Sequence, residues 1–237
     1  MNVKRKVFVL VLVLGMVCLF TSNAFAVDVL YAPLEGFINQ IQGKTNVYVY
    51  DGLSLQPLSC NIQNGLEPVG GKVGKALLFN GKRYITVPNN SWLNLGTDDF
   101  AITFWVKTES KKNFNTIIEK RKSHQSPGYH VTLYRGCPLL HLCQPPYKWT
   151  NYAADTKIND GKWHYVAFYV ERNNQTGGKI YVDGICVKTF NPTGQNGNLN
   201  NNENLLIGKH CGWDYAYFEG VLDELWIFRG RALNRKK

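Results

Sequence analysis

Two aromatic-rich segments carry the side chains a sugar ring would need. One is Pro145-Pro146-Tyr147-Lys148-Trp149-Thr150-Asn151-Tyr152, and the other is His210-Cys211-Gly212-Trp213-Asp214-Tyr215-Ala216-Tyr217. Sugar rings have apolar faces and polar rims, so aromatic planes set beside polar groups make platforms for them. Tyr147, Trp149, Tyr152, Trp213, Asp214 and Tyr215 are the candidate ligand-binding residues. Aromatic side chains more often fill a core, and the direction in which Trp149 and Trp213 point decides between the two readings.

Catalytic chemistry has less support. A retaining glycosidase needs two carboxyl groups about 5 Å apart. On a strand that means acids at i and i+2, because neighbouring residues point to opposite faces. Asp98-Asp99 and Asp223-Glu224 are adjacent pairs, and Asp214 stands alone. A polysaccharide lyase would gather Arg, His, Gln and Tyr on one face. His124, His130, His141, His164 and His210 are each separate in the sequence. The reading is of a non-catalytic module, with a glycoside hydrolase or lyase as the alternative from the enzyme class.

The first 26 residues have the layout of an export signal. Lys4-Arg5-Lys6 is followed by an apolar run from Val7 to Phe20, then polar Thr21-Ser22-Asn23, then the small-x-small Ala24-Phe25-Ala26. The run is shorter than the roughly 18 residues of a spanning helix. Cleavage after Ala26 leaves residues 27–237 and no membrane span, and places the product outside the cell or in the periplasm. The net charge of +10 includes three charges of the leader. The remaining Lys and Arg are scattered, which suits a solvated surface better than a nucleic-acid groove.

Five cysteines follow the leader: Cys60, Cys137, Cys143, Cys186 and Cys211. Export permits disulfides, and an odd count leaves one thiol over. Cys137 with Cys143 and Cys186 with Cys211 are the expected pairs, although spacing alone leaves the connectivity open. Zinc is disfavoured, because no Cys-x-x-Cys or His-x3-His spacing supplies a tetrahedral site.

These residues must be positioned by strands. Phe100-Ala-Ile-Thr-Phe-Trp-Val-Lys107 alternates with period two, placing Phe100, Ile102, Phe104 and Val106 on one side. Similar stretches run at 83–87, 116–119, 129–134, 164–170, 179–182, 186–190, 205–207 and 222–228, rich in Val, Ile, Tyr, Phe and Trp. Asp183-Gly184 reads as a two-residue hairpin turn, and Asp160-Gly161-Lys162 as a tight turn before Trp163. Trp163 is expected to fill the core at a strand start. Residues 191–204 form a long polar loop. No segment has a helical apolar stripe. The fold class is all-β, with two packed antiparallel sheets in a jelly-roll sandwich.

The order of landmarks is then specific: Gly74-Lys-Ala-Leu-Leu-Phe-Asn-Gly81, Phe100-Ala-Ile-Thr-Phe-Trp-Val106, Asp160-Gly-Lys-Trp-His164, Ile180-Tyr-Val-Asp-Gly184 and Gly220-Val-Leu-Asp-Glu-Leu-Trp-Ile-Phe228. This series resembles the laminin-G-like domains of the concanavalin A-like lectin/glucanase superfamily, which also holds the pentraxins. The resemblance implies a domain over residues 27–237 that binds carbohydrate or an extracellular protein, often with calcium. It points to Asp223 as the calcium carboxylate, joined by the turn at Leu34-Glu35-Gly36. The alternative for Asp223 is a hydrogen bond from a backbone amide.

Overall fold

The computed structural model describes residues 66–212 and 215–230 in full, Cys60, and the backbone of the strands that precede them. The predicted cleavage site, Glu35, Trp213 and Asp214 lie outside the described residues.

Two short strands, β1 (Leu12–Val13) and β2 (Met16–Val17), pair with each other alone. The larger of the two main sheets combines β3 (Asp28–Ala32), β4 (Tyr48–Asp51), β5 (Pro57–Ser59), β7 (Glu67–Gly70), β8 (Lys75–Asn80), β10 (Phe100–Lys107), β15 (Trp163–Val170), β16 (Gly178–Val182), β17 (Ile185–Phe190) and β19 (Glu219–Arg229). Its path is β17-β16-β15-β10-β19-β3-β4-β5, with β8 on β19 and β7 on β8. The other sheet combines β6 (Asn61–Gln63), β9 (Tyr84–Val87), β11 (Phe114–Lys120), β12 (Gly128–Tyr134), β13 (Cys137–Gln144), β14 (Lys148–Ala153) and β18 (Leu205–Ile207), in the order β14-β13-β12-β11-β18-β9-β6. All pairings are antiparallel. The expected two-sheet sandwich is the observed one, and among the described residues no helix is long and apolar enough to cross a membrane.

The core lies between the sheets. Phe100, Ile102, Phe104 and Val106 of β10 are fully buried, as their alternation requires. Tyr129, Val131 and Leu133 of β12 and Leu140 and Leu142 of β13 meet them from the opposite sheet. Every second residue of β12 and β13 therefore points away from the core. On central β19, Leu225 and Ile227 face the core, while Trp226 and Phe228 lie stacked with their planes 1° apart on the other face. Trp163 is half-buried at the start of β15 rather than in the core, because it stands opposite Lys107 at a sheet end.

The Asp183-Gly184 turn forms as expected, with both residues at positive φ (51° and 83°). It is tied to the Asp160 turn by His164, whose Nδ1 lies 2.7 Å from Asp183 Oδ2 and whose Nε2 lies 3.0 Å from Asp160 Oδ1. Burial alone would lower this imidazole, but the bonds to Asp160 and Asp183 outweigh it and raise its pKa. A base with a raised folded pKa stabilises fully below its unfolded value of about 6.5. That contribution is lost as pH rises through the folded value. In urea melts, His164→Gln should cost more stability at pH 5 than at pH 8.5; an equal cost at both would refute the clamp.

The long loop at 191–204 is tied down by two buried cations. The guanidinium of Arg172 donates to the carbonyls of Gln195, Gly197 and Gly96. Lys120 Nζ donates to Asn89 Oδ1 and to the carbonyls of Asn201 and Glu203, each at 2.9–3.0 Å. Burial pulls this ammonium down to about 8.

Three expectations are corrected here. Most of the first aromatic-rich segment, expected outside the strands, belongs to edge strand β14, which Pro145-Pro146 hides from period-two reading. Tyr152 is core: only 7% exposed, it stacks on Phe190 at 4.0 Å between centroids, and it cannot meet a ligand. The expected disulfides do not form, and Cys137, Cys143, Cys186 and Cys211 are free thiols. Cys137 and Cys143 occupy opposite ends of β13, about 20 Å apart at 3.3 Å per residue, whereas a disulfide needs Cα atoms within about 7 Å. Cys186 is exposed on β17 of one sheet, and Cys211 bonds to Glu119 of the other.

Candidate functional site

The outward face of the seven-stranded sheet carries a polar row. Register places Glu119 of β11 opposite His130 of β12, His130 opposite His141 of β13, and His141 opposite Asn151 of β14. Two connections fold over this row. The turn after β11 brings Arg121 and His124, and the segment after β18 brings His210 and Cys211. Four histidines that are separate in the sequence thus converge, contrary to the expectation that each stands apart. Glu119, Arg121, His130, His141 and His210 are each 3% exposed or less.

The hydrogen bonds fix most of the proton positions. Arg121 Nε donates to Glu119 Oε1 in a close ion pair, and Arg121 Nη2 reaches His130 Nδ1 at 3.2 Å. His130 Nδ1 must then accept, so its Nε2 carries the proton and donates to Thr116 Oγ1 at 3.2 Å. His210 Nδ1 accepts from the Gly212 amide at 3.0 Å, and its Nε2 lies 3.4 Å from Arg121 Nη2 and 3.7 Å from Glu119 Oε1. The amide and thiol of Cys211 both donate to Glu119, at 2.7 and 3.3 Å. His141 Nδ1 lies 2.7 Å from Asn151 Oδ1, and the backbone carbonyl of His124 also hydrogen-bonds the ring.

Burial, reinforced by Arg121, keeps these imidazoles neutral. It drives His130 well below its ordinary value, His141 to about 3 and His210 to about 4. Burial also raises Glu119, although Arg121 and the Cys211 amide oppose the rise, and it pushes the Cys211 thiol up to about 12 with the help of the nearby carboxylate.

Glu119, His210 and Cys211 offer donor atoms within 4.8 Å of one another, a spacing that could suit a metal ion. The arrangement is already committed otherwise: Arg121 is the cation on Glu119, and the Cys211 amide and thiol both donate to the same carboxylate. Nor does the cluster contain a second carboxyl among the described residues, so the paired-acid arrangement of a glycosidase is not assembled here.

Above the row is an aromatic ledge. Trp149, on β14, is 44% exposed, and its ring lies stacked on His141 at 5.8 Å and 15°. His124 presses on both, at 4.7 Å from His141 and 4.8 Å from Trp149. Tyr147, at φ 63° in the turn that leads into β14, is 71% exposed. Of the sequence-predicted residues, Trp149 is therefore on the outward ledge, Tyr147 and Tyr215 are exposed in the connections before β14 and after β18, and Tyr152 is in the core. Asp223 lies on the other sheet, buried, where its Oδ2 accepts the amides of Lys72 and Val73 at 2.8 and 3.0 Å. This is the hydrogen-bond role that competes with calcium ligation.

The sequence reading missed Glu119, Arg121, His130, His141 and His210 as a unit. A signal existed: Arg135-Gly136, at φ 52° and 85°, is a two-residue hairpin turn that sets 130 opposite 141.

Comparison with known proteins places this architecture. A Laminin G family model, described as "Concanavalin A-like lectin/glucanases superfamily", matches residues 79–237. Among curated proteins, a non-toxic nonhemagglutinin of Paraclostridium bifermentans is 24% identical over 151 residues, which is 62% of this chain but only 12% of that protein. Among solved structures, the binding domain of Paraclostridial Mosquitocidal Protein 1 superposes with a TM-score of 0.67 at 17% identity, over 87% of this chain and 50% of that one. The botulinum neurotoxin serotype G binding domain gives 0.64 at 18%, over 87% and 48%. Domain 4 of AbnA, a GH43 extracellular arabinanase from Geobacillus stearothermophilus, in complex with arabinotriose, gives 0.61 at 20%, over 86% and 95%. At these identities the likeness is one of fold.

Proposed function

Because the chain belongs to the laminin-G-like family of the concanavalin A-like lectin/glucanases superfamily, we propose that it acts as a secreted, non-catalytic carbohydrate-binding module, extracellular or periplasmic, with the Trp149 ledge as its platform. The observation that carries this reading is the half-exposed Trp149 ring, backed by His141 and edged by His124, on the outward face of a sheet. An aromatic plane fixed from behind loses little entropy when a sugar stacks on it. The polar rim of such a sugar would meet exposed Asn151, two residues further along the same face of the strand. The fold shared with an arabinanase domain that holds arabinotriose supports the same reading.

The test is a glycan array on residues 27–237, with calcium and with chelator. Selective saccharide binding is expected, and Trp149→Ala should weaken it by about ten- to a hundredfold, the scale of one lost aromatic platform at ~1.4–3 kcal/mol. Binding that survives Trp149→Ala would move the site elsewhere. Loss in chelator alone would bring calcium, and with it Asp223, into the mechanism. A blank array in both conditions would turn the search to an extracellular protein partner.

A further inference from the structure

We infer that Arg121 is a latch on the Trp149 ledge, that His130 and His210 are its triggers, and that protons taken up by these two rings release the ligand. This rests on the carbohydrate reading of the ledge and adds its regulation. The latch is visible in the contacts of one guanidinium. Arg121 Nε is paired with Glu119 Oε1, Nη2 lies 3.2 Å from His130 Nδ1 and 3.4 Å from His210 Nε2, and Nη1 donates to the His124 carbonyl at 3.4 Å. A guanidinium can only donate, so an imidazole nitrogen bonds to it through a lone pair. His130 Nδ1 is placed that way, and a proton there sets donor against donor and charge against charge. His210 meets donors at both ring nitrogens, because the Gly212 amide faces its Nδ1 at 3.0 Å. A second proton on this ring opposes both contacts.

Glu119 gives the unlatched form a place to settle. It stands opposite His130 in register and 3.7 Å from His210 Nε2, so a protonated ring can take the carboxylate over from Arg121. The guanidinium is then a buried charge without its partner, which is costly, and it turns outward. It stands directly after β11, at the start of the 121–127 turn, where Lys122 and Ser123 are exposed. Its bond to the His124 carbonyl goes with it. His124 edges the platform, 4.8 Å from Trp149 and 4.7 Å from His141, so the ledge loses its side wall. No other group facing the latch opposes the change. The turn adds Lys122 and His124, and β13 adds His141 and the thiol of Cys143. From β14 comes neutral Asn151, and from the segment after β18 the thiol of Cys211. Lys120 is turned into the 191–204 loop. Glu119 is thus the one carboxylate of the site among the described residues.

Burial first, then Arg121, holds His130 well below its ordinary value and His210 at about 4. A ring freed from the latch titrates at about 6.5. The latched form therefore binds fewer protons, so it prevails at neutral pH and yields as the pH falls below about 6.5. Two triggers shift the balance by up to about a hundredfold per pH unit.

The experiment follows the Trp149 indole and the histidine ring nitrogens of the protein by NMR from pH 7.5 to 4.5, beside the backbone amides of β10. Arabinotriose affinity is measured at pH 7.5 and 5. The expected result is that His130, His210 and the Trp149 indole shift together between about pH 6 and 5 while the β10 amides hold, and that affinity falls at least about tenfold. His130→Asn combined with His210→Gln supplies acceptors that do not titrate, and its affinity ratio between the two pH values should shrink to about threefold or less. Should that variant fail to fold, the titration of the unaltered protein decides alone. Rings that stay neutral beside an unmoved indole at pH 5 overturn the latch and leave the platform standing. Loss of the β10 amides in step with the indole overturns it too, because release is then unfolding. If the latch moves while arabinotriose affinity stays constant, the ligand is not on Trp149, and the platform falls with the release. No arabinotriose binding at pH 7.5 overturns both.

Discussion

Acidification from pH 6.5 to about 4 is expected to strip the domain of several kcal/mol of stability. The cause is the set of neutral imidazoles around Arg121. In the unfolded chain each histidine takes up its proton near pH 6.5. In the folded chain His141 does so only near 3 and His210 near 4, with His130 lower than its ordinary value as well. Below 6.5 the unfolded state therefore binds more protons, so stability is complete above that pH and falls as the pH drops towards the folded values. Three protons would give a slope of about 4 kcal/mol per pH unit. Glu119 works the other way: burial raises it, so the folded state gains a proton early and offsets about one of the three. His164 also opposes the trend, on the far side of the molecule. The check is urea unfolding at half-unit steps from pH 7.5 to 4. A flat profile through pH 5 would show that the buried histidines are hydrated or displaced.

Glu119→Ala is expected to cost about 3–5 kcal/mol, the range for removing one partner of a buried ion pair. Both partners are almost wholly enclosed, with side chains 1% and 0% exposed. The alanine leaves the Arg121 charge buried without its carboxylate. It also deprives the Cys211 amide and thiol of their acceptor, which would loosen the segment after β18. The informative control is Glu119→Leu combined with Arg121→Met. An apolar pair of similar volume removes both charges together, and it should recover much of the loss. Chemical denaturation of the two single variants and the double variant measures the coupling. A loss below about 1 kcal/mol for Glu119→Ala would mean that water reaches the pair, as it does in exposed bridges.

Much of the fold was legible from period-two alternation. Phe100 to Lys107 announced a strand, its inward set is the buried set, and Asp183-Gly184 turned where it should. The ledge was half legible: Trp149 and Tyr147 stood out as aromatics near prolines, but Tyr152 shares their composition and faces the core. One strand position separates a platform from a core residue, and Pro145-Pro146 concealed that a strand was present. The buried row was not legible as a set, because its members are joined by register rather than by spacing along the chain. Glu119 and His130 are joined by the irregular connection at 121–127, whose sequence announces no turn type from which their register could be counted. His210 arrives from a different part of the chain altogether. The disulfide expectation failed for a related reason. Nearness in sequence was taken for nearness in space, and on an extended strand six residues are a long way.

The row of Glu119, His130, His141 and Asn151 also bears on how the chain avoids folding wrongly. Each strand of β11 to β14 contributes one member at matched height. Were any one of these strands to slide by a single residue, its whole alternation would invert. A histidine or glutamate would be driven between the sheets, and Val131 or Leu140 would be turned out against the charged partners of its neighbours. The polar row thus works like the wards of a lock: adjacent hairpins of similar apolar content have one alignment that keeps every proton matched, and mispaired alternatives are penalised twice over, once in the oil and once in the salt.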